Sequence, residues 1–532
     1  MGHIQLLDCT LRDGGYINDW NFGHDNLVSI FERVVDAGIE MIEIGFLDER
    51  RPFDLNRSIM PNTDCVEKIY GKLERKQTTV VGMIDFGTCG LENVQDCDKS
   101  FLDGIRVIFK KHLREPALQF CKGLKQKGYK VFAQLVSVTS YSDEEMMSLI
   151  ALANEVEPYA VSMVDTYGLM HQDHLLHYFK LLDTYLKPGI TLGYHGHNNF
   201  QMGYANCIAI LSNKTQRDMI VDGSLYGMGK GAGNAPIELI AMYMNHSMER
   251  KYRISQLLEA IDVNIAQFHA PVKWGYNMFY YLAASNQCHP NYVAYLMNRK
   301  TLSVKSINEV LSKLQNEKKL LYDKEYIEKL YAEYQKNEIN DKLAWEKLQD
   351  KLIGKKILLI GSGATVSTER KIIESYIQSN HPFVISINYI PEGIKLDSIF
   401  LSNSKRYTQL ASKLSQEKYS IIATSNVTGT RDEVFEIILN FSGLMDENVE
   451  IIDNSLVMFL KVLIRTGCRE VTLAGFDGYS TEASNYYKQD MEYDFVKNKA
   501  EYLNNYTSTF IKSVADTLMV EFLTTSKYER ER

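Results

Sequence analysis

Residues 6–16 read LLDCTLRDGGY, an apolar run that ends in an Arg-Asp pair and two glycines. A continuous apolar run is typical of a strand buried on both faces, and glycines let the following backbone turn and approach a ligand closely. Arg12 and Asp13 therefore stand at the carboxyl end of a predicted strand. We interpret the segment as a buried strand with functional side chains at its tip.

Eight short apolar runs recur in the first 225 residues, and helical patterns connect most of them. The runs are IQLLD, MIEIGF, TVVGMID, GIRVIF, KVFAQLV, YAVSMVD, TLGYH and DMIVDGS. Strands of this kind that alternate with helices indicate a parallel sheet covered on both faces. Eight such units within about 230 residues predict an α/β fold of the (β/α)8 TIM-barrel type.

Polar side chains collect at the carboxyl ends of these runs. They are Asp8, Arg12, Asp13, Glu43, Asp85, Asp165, His195 and His197. Because the active sites of (β/α)8 barrels lie at the carboxyl ends of the strands, this placement favours a barrel. The alternative is a doubly wound open sheet.

The composition of the chain changes after about residue 245. No glycine occurs between Gly275 and Gly354, and long helical patterns fill that interval. A new set of about six β/α units then begins at ILLIGSGAT, which predicts an open doubly wound, Rossmann-like sheet. We predict a barrel over residues 1–245, a helical extension with charged linker helices over 246–350, and a Rossmann-like α/β domain over 351–532.

Composition excludes several classes of function. The chain has 532 residues and a net charge of −8, which argues for several domains and against an electrostatic nucleic-acid binder. No apolar stretch approaches the roughly 20 residues that a membrane span needs. The eight cysteines are scattered without a CxxC pair, so we expect reduced thiols and a cytoplasmic protein.

The segment GYHGHNN carries a candidate metal site. On a strand, His195 and His197 face the same side, and Asp13 ends another strand that only one strand separates from theirs in a closed barrel. Two imidazoles and a carboxylate suit a divalent metal that acts as a Lewis acid. The alternative is two hydrogen-bonded histidines and a turn-capping aspartate. The glycine-rich loop after the eighth run offers Asn234 as a further ligand, or else cradles a phosphate.

Together, LLDCTLRDGGY, GYHGHNN and DGSLYGMGKGAGNAPIE resemble the signatures of the DRE-TIM metallolyase superfamily. The last is especially similar to that of the 4-hydroxy-2-oxovalerate aldolases, as is the helical stretch VKWGYNMFYYLAASNQCHPNYVAYL, and the resemblance covers residues 1 to 300. It implies a divalent-metal-dependent aldolase that uses the enolate of pyruvate or a related 2-oxo acid and an aldehyde. The implied metal is Mn²⁺, although Mg²⁺, Co²⁺ and Zn²⁺ also accept oxygen and imidazole ligands.

The resemblance also implies a role for each matching residue. The metal ligands would be Asp13, His195 and His197, with Asn234 as a further ligand. Arg12 would lie over the substrate oxygen. Glu43 would help to position the residues that contact the metal and the substrate, or would simply be a buried, ion-paired carboxylate. Tyr280 would reach the site or pack in the core. Thr166, at the tip of the sixth strand, would orient a ligand.

Two residues depart from the pattern of those aldolases. Their histidine base, three residues after the metal aspartate, is replaced here by Tyr16. With an ordinary pKa near 10, a tyrosine is a poorer base at neutral pH. Either Tyr16 or a metal-bound water then moves the proton, or the acceptor differs. Lys230, in the glycine loop, would bind an anionic acceptor or be solvated.

The C-terminal segments ILLIGSGAT, FVISIN and NSLVMFLKVLIRTGCREVTLAGFDGY resemble a sialyltransferase-like family that binds CMP-sugars. This resemblance implies a nucleotide or nucleotide-sugar ligand and a link to surface-polysaccharide synthesis, and the alternative is a structural module for oligomerisation. For the whole chain we expect a homo-oligomer. Three other functions stay open: an acyl-CoA condensing enzyme of the isopropylmalate synthase type, a bifunctional glycosyltransferase-linked protein, and a non-catalytic scaffold.

Overall fold

The computed structural model describes residues 2–299, 301–319, 322–416, 419–427, 435–446, 449–482, 484–486 and 494–529. The chain divides into two compact units, Met1–Gln287 and Cys288–Arg532. This division falls inside the segment 246–350 that the sequence presents as one helical extension. Its first helices thus belong to the unit of the barrel, and its later helices belong to the second unit.

The first unit contains eight parallel strands that close into a barrel. They are β1 (Ile4–Asp8), β2 (Met41–Leu47), β3 (Thr79–Asp85), β4 (Gly104–Phe109), β5 (Lys130–Leu135), β6 (Ala160–Asp165), β7 (Thr191–Gly196) and β8 (Met219–Gly223). Each strand pairs with its neighbour in sequence, and β1 pairs with both β2 and β8. The short strand Ile59–Met60 pairs with the end of β2. The predicted barrel is confirmed.

Twelve α-helices surround or extend the barrel in the described residues. They are α1 (Thr10–Asp13), α2 (Gly15–Asn18), α3 (His24–Ala37), α4 (Thr63–Tyr70), α5 (Arg114–Gln126), α6 (Asp143–Val156), α7 (Gln172–Tyr185), α8 (Gly203–Leu211), α9 (Ile237–Ser247), α10 (Ile254–Ala260), α11 (Ala266–His269) and α12 (Met278–Ser285). A π-helical segment, Ile261–Ile265, joins α10 to α11.

Local sequence signals explain where these helices begin and end. At the start of α6, Ser142 and Glu145 form a capping box in which each side chain accepts a hydrogen bond from the other residue's backbone N–H. At the end of α3, Gly38 adopts a left-handed conformation with φ +85°, which a residue with a Cβ adopts only at a cost. The apolar face of each long helix packs on the barrel.

The second unit is an open, entirely parallel sheet of seven strands. They are β9 (Ile357–Ile360), β10 (Phe383–Ile387), β11 (Ser398–Leu401), β12 (Ser420–Thr424), β13 (Ile437–Leu439), β14 (Glu470–Ala474) and β15 (Met519–Phe522). Their order is β13-β12-β11-β10-β9-β14-β15. The chain runs outward from β9 in one direction and then returns to its other side at β14, which confirms the predicted doubly wound α/β fold.

Ten α-helices accompany this sheet in the described part of the second unit. They are α13 (Pro290–Arg299), α14 (Val304–Ser312), α15 (Lys324–Gln335), α16 (Lys342–Leu352), α17 (Thr365–Thr368), α18 (Arg370–Asn380), α19 (Ser404–Gln416), α20 (Ser455–Arg465), α21 (Asp494–Asn498) and α22 (Ala500–Ser513). No helix among the described residues is long and apolar enough to cross a membrane. All eight cysteines are free thiols.

Candidate metal centre

Three predicted metal ligands meet at the carboxyl end of the barrel. Asp13 ends α1, directly after β1, while His195 lies in β7 and His197 follows that strand by one residue. One ligand atom from each side chain lies within 4.8 Å of the others. All three side chains are at least 95% buried. The closure of β1 onto β8, which β7 also flanks, brings these distant residues together.

Each histidine is oriented through its Nδ1 atom. His195 donates from Nδ1 to Asp222 Oδ2 at 3.0 Å, and His197 donates from Nδ1 to the main-chain oxygen of Asp165 at 3.0 Å. The Nε2 atoms of both rings are buried and have no hydrogen-bond partner among the described residues. A buried polar atom without a partner is costly, and two such nitrogen atoms beside a carboxylate fit a divalent cation.

The electrostatics of the cluster favour the forms of these side chains that bind a metal. Burial lowers the pKa of His195, although the hydrogen bond to Asp222 opposes this shift, so a neutral imidazole is favoured. Burial alone would raise the pKa of Asp13, but the Arg12 guanidinium and then His197 hold it well below its usual range. Asp13 is therefore a carboxylate in the folded protein.

Arg12 is held firmly beside Asp13. Its Nε donates to Glu43 Oε2 at 2.7 Å, its Nη1 donates to Asp13, and its main-chain oxygen accepts from Trp20 Nε1 at 2.8 Å. The side chain is only 4% exposed. Glu43, in the middle of β2, thus takes the ion-paired position that the sequence indicates. The guanidinium is thus fixed next to the predicted metal ligand Asp13.

A second arginine, Arg106 in β4, lies inside the barrel between Glu43, which holds Arg12, and Asp222, which holds His195. Its Nη2 donates to Asp222 and to Gln134 Oε1, the latter at 3.0 Å, and its Nη1 lies 3.0 Å from Glu43 Oε2. The side chain is 1% exposed. Neither Arg106 nor Asp222 is among the site residues that the sequence predicts. The signal was a charged residue among apolar neighbours, Arg106 in the run GIRVIF and Asp222 at the end of the apolar stretch in DMIVDGS.

The glycine loop wraps around the Asp13 carboxylate. Asn234 Nδ2 donates to Asp13 Oδ2 at 2.9 Å, and the backbone N–H of Lys230 donates to the same oxygen at 3.0 Å. A Cβ at Gly229 would lie 2.5 Å from that oxygen, so this position requires glycine. Asn234 Oδ1 is buried without a partner among the described residues, which leaves it available as a further ligand.

Tyr16 and the Lys230 side chain lie together at the barrel mouth. The Lys230 ammonium is 5.3 Å from the centroid of the Tyr16 ring, which also packs edge-on against Trp20 at 4.9 Å. Tyr16 is 43% exposed. Loss of hydration within the mouth, and then the Asp13 carboxylate, raises the pKa of Tyr16 to about 12. Its phenol is therefore protonated at neutral pH and can donate a proton.

Two other predicted residues are tied to different partners. The Thr166 hydroxyl accepts the Ser137 backbone N–H at 2.8 Å. Tyr280, in α12, donates its backbone N–H to Asn277 Oδ1 at 3.0 Å, and its ring packs on Phe279 at 5.0 Å. None of these contacts joins Thr166 or Tyr280 to the cluster of metal ligands. Their roles stay predictions.

Comparison with known proteins places the barrel in a family. The family model described as HMGL-like matches residues 3–264. A 4-hydroxy-2-oxovalerate aldolase from Pseudoalteromonas translucida is 24% identical over 277 residues, which are 51% of this chain and 78% of the relative. An oxaloacetate decarboxylase from Mycobacterium tuberculosis is 27% identical over 250 residues, 44% of this chain and 68% of the relative.

The matched segment contains the closed barrel, the Arg-Asp pair and the clustered histidines, which are the three features that the opening motifs predict. The barrel over residues 3–264 is therefore an HMGL-like domain of the DRE-TIM metallolyase superfamily.

Proposed function

We propose that the barrel unit is a divalent-metal-dependent aldolase or lyase. It would form or cleave a carbon–carbon bond next to the carbonyl group of pyruvate or a related 2-oxo acid. The observation that carries the proposal is the buried cluster of Asp13, His195 and His197, whose unpartnered Nε2 atoms lie beside a fixed Arg12. The 4-hydroxy-2-oxovalerate aldolase and oxaloacetate decarboxylase relatives support the same class of substrate.

The proposed metal ligands are Asp13, His195 and His197, with Asn234 Oδ1 as a fourth. A divalent cation bound there would supply Lewis acidity to the carbonyl oxygen of a 2-oxo acid. The set of oxygen and imidazole donors is compatible with Mn²⁺, Mg²⁺, Co²⁺ and Zn²⁺. Our choice of Mn²⁺ rests on the resemblance to the aldolases.

Arg12 would stabilise negative charge that develops on the substrate oxygen. Its position is set before substrate arrives, because Glu43 and Asp13 already hold two of its nitrogen atoms. Preorganised donors of this kind contribute about 2.7–4 kcal/mol each to the transition state in known enzymes. Glu43 acts through Arg12 as a positioning residue.

We assign proton donation to the aldehyde oxygen to Tyr16, because its phenol is protonated at neutral pH and lies at the mouth of the barrel. Lys230, next to the Tyr16 ring, would contact an anionic group of the acceptor, either a carboxylate or a phosphate. Thr166 and Tyr280 stay candidates for contacts with the distal part of the acceptor.

The test is hydrogen exchange at the pyruvate methyl group. The full chain is incubated with pyruvate and Mn²⁺ in D2O, and loss of the methyl signal is followed by proton NMR with and without EDTA. We expect metal-dependent exchange that disappears in Arg12→Ala and persists in Arg75→Ala, which removes a half-exposed arginine outside the barrel interior. Absence of exchange with every divalent metal would refute the pyruvate proposal.

Decarboxylation of oxaloacetate is a second candidate function. The oxaloacetate decarboxylase relative favours it, and that reaction develops negative charge on the same carbonyl oxygen. Release of CO2 from oxaloacetate, measured beside an aldehyde screen, separates the two activities. We also propose a cytoplasmic location, which the eight free thiols support. The homo-oligomeric state, the nucleotide-sugar ligand and the link to surface polysaccharides stay predictions.

A further inference from the structure

A tryptophan with a left-handed backbone lies in the loop that carries the Arg-Asp pair. The φ of Trp20 is +57°, and that of Asp19 before it is +53°. A left-handed backbone is uncommon for any residue with a Cβ and is an outlier for one as bulky as tryptophan. Such strain persists only where the surrounding structure enforces it, and it concentrates at functional sites. The contacts of Trp20 should therefore show what the strain serves.

The strained backbone is held from the neighbouring loop of the barrel. The main-chain oxygen of Trp20 accepts the Ser58 N–H at 3.0 Å, and the buried Ser58 hydroxyl donates to the main-chain oxygen of Leu11 at 2.6 Å. Asp19 forms an ion pair with Arg57. Both Ser58 and Arg57 lie in the segment that follows β2. The loop after β1 is thus fastened to the loop after β2 at Trp20.

The indole N–H of Trp20 acts on the backbone of Arg12. Its Nε1 donates to the main-chain oxygen of Arg12 at 2.8 Å. Main-chain oxygens in the last turn of a helix have no partner within that helix, and Arg12 lies in the last turn of α1. A Cβ at Gly15 would overlap Trp20 Cδ1, so the indole fills the space that the second glycine leaves. The indole therefore fixes the point from which the Arg12 side chain extends.

The indole ring of Trp20 also borders the side chains of both groups that the proposed reaction uses. Its centroid lies 4.9 Å from that of Tyr16 and 5.6 Å from that of Phe46, both in edge-on contact. The Arg12 guanidinium carbon is 5.9 Å from the centroid of the Phe46 ring, within the range of a cation–π contact. Lys230 lies near the Tyr16 ring as well. Trp20 is thus in contact with Arg12 and Tyr16 together.

We propose that Trp20 is a positioning residue that fixes Arg12 and Tyr16 relative to one another. The indole N–H holds Arg12 through its main-chain oxygen, and the indole ring holds Tyr16 by packing. The inference rests on the proposed function, in which Arg12 faces the oxygen of the 2-oxo acid and Tyr16 faces the oxygen of the aldehyde. Their separation must then match the two oxygens on either side of the new bond. A misplacement of 1 Å can cost about 10²-fold in rate.

The first test separates the indole N–H from the ring. Trp20→Phe keeps an aromatic ring beside Tyr16 and removes the donor to Arg12. The full chain is incubated with Mn²⁺ and pyruvate in D2O, and exchange of the methyl protons is followed by NMR. We expect the maximal exchange rate to fall about 10–10²-fold. The KM for pyruvate should change little, because Arg12 acts mainly on charge that develops in the transition state.

Trp345→Phe is the matched control for this substitution. It makes the same change in the second unit, where the Trp345 side chain is buried and its Nε1 donates to Asp341 Oδ2 at 2.8 Å. The control therefore also loses one indole hydrogen bond. We expect it to leave the exchange of pyruvate unchanged. Circular dichroism, the melting temperature and the stoichiometry of Mn²⁺ binding establish that each variant is folded.

The second test addresses the ring. Trp20→Leu removes both the donor and the aromatic contact, so it should lower aldol turnover by a larger factor than it lowers pyruvate exchange. In a Tyr16→Phe background, this additional loss of turnover should disappear, because no phenol remains to be positioned. A merely structural role of Trp20 would lower both rates by one factor in both backgrounds.

A spectrum of the unsubstituted chain provides a measurement without any variant of Trp20. The chain has three tryptophans, so Trp20 gives one of three indole N–H signals in a proton–nitrogen spectrum. On addition of pyruvate and Mg²⁺, which is diamagnetic, we expect the Trp20 signal to shift and the Trp345 signal to stay in place. An unchanged Trp20 signal in a chain that exchanges pyruvate would overturn the proposal.

The remaining outcomes distinguish this inference from the proposed function. If the wild-type chain shows no metal-dependent exchange, the proposed function is refuted and the role of Trp20 falls with it. If the wild-type chain is active but Trp20→Phe and Trp345→Phe exchange pyruvate equally fast, only the role of Trp20 is refuted. The same holds if the additional loss of turnover in Trp20→Leu is equal with and without the Tyr16 phenol.

Discussion

The imidazole of His195 and the carboxylate of Asp222 lie 3.0 Å apart, and both are almost fully buried. This contact fixes the proton of His195 on Nδ1 and turns Nε2 toward His197 and Asp13. The carboxylate therefore sets the orientation of a proposed metal ligand from outside the cluster of Asp13, His195 and His197.

Replacement of Asp222 by asparagine should weaken metal binding. Loss of the charged partner lets the His195 ring adopt its other tautomer, and such outer partners contribute about 10–100-fold to metal affinity. Titration of the EDTA-treated protein with Mn²⁺ measures the change. Asp173→Asn, on the exposed first turn of α7, is the matched control. Equal affinities in the two variants would contradict the orienting role of Asp222.

Arg106→Met should destabilise the barrel. The substitution leaves the Glu43 and Asp222 carboxylates buried without their shared cation, a loss that costs about 3–5 kcal/mol in comparable buried pairs. Chemical denaturation with urea gives the free energy of unfolding. Arg75→Met breaks a half-exposed pair with Asp103 and should cost about 0–1 kcal/mol. A similar small loss for both variants would show that the Arg106 network contributes little to stability.

Tyr16→Phe should slow aldol turnover and leave the earlier steps intact. If the phenol donates the proton to the aldehyde oxygen, its loss should reduce kcat about 10²–10⁴-fold, the usual contribution of a positioned acid. Exchange of the pyruvate methyl protons and Mn²⁺ affinity should not change. Because the pKa of Tyr16 is about 12, the wild-type rate should show no titration of this group between neutral and mildly alkaline pH. Unchanged turnover in Tyr16→Phe would instead assign proton transfer to another group.

Lys230→Met should weaken the binding of a charged aldol acceptor and leave the binding of pyruvate unchanged. We expect a higher KM for an aldehyde that carries a carboxylate or phosphate, an unchanged KM for pyruvate, and little effect with an uncharged aldehyde. Lys230→Arg, which keeps the charge, should retain most of the affinity. Steady-state kinetics with a matched pair of charged and neutral aldehydes provides the measurement. The same loss for both aldehydes would mean that the residue maintains the glycine loop rather than binding an anion.

The barrel and the clustering of Asp13, His195 and His197 were predictable because their signals are local. The apolar residues of β1 and β7 give way abruptly to polar ones at the carboxyl end of each strand. Asp13 follows β1, and His195 and His197 stand at the end of β7. Their convergence follows from the closure of eight strands. The two sheets of the chain could be distinguished by the number of β/α units in each part.

The internal network was not predictable in the same way. Arg106 and Asp222 lie within apolar runs, on strands that are far apart in sequence, and each would be an isolated buried charge if considered alone. Only the inward direction of both side chains in the closed barrel pairs them. The boundary between the two units at residues 287 and 288 could not be predicted either, because a helical pattern does not show which sheet the helix packs against.

The ion pairs inside the barrel also determine the charge that a ligand should carry. Three carboxylates, from Asp13, Glu43 and Asp222, contact two guanidinium groups, from Arg12 and Arg106, so the group has one surplus negative charge. Addition of a divalent cation reverses this to one surplus positive charge. A ligand with a single negative charge, such as a monocarboxylate, therefore neutralises the interior. Any second anionic group is better accommodated outside the cluster, at the barrel mouth where Lys230 lies.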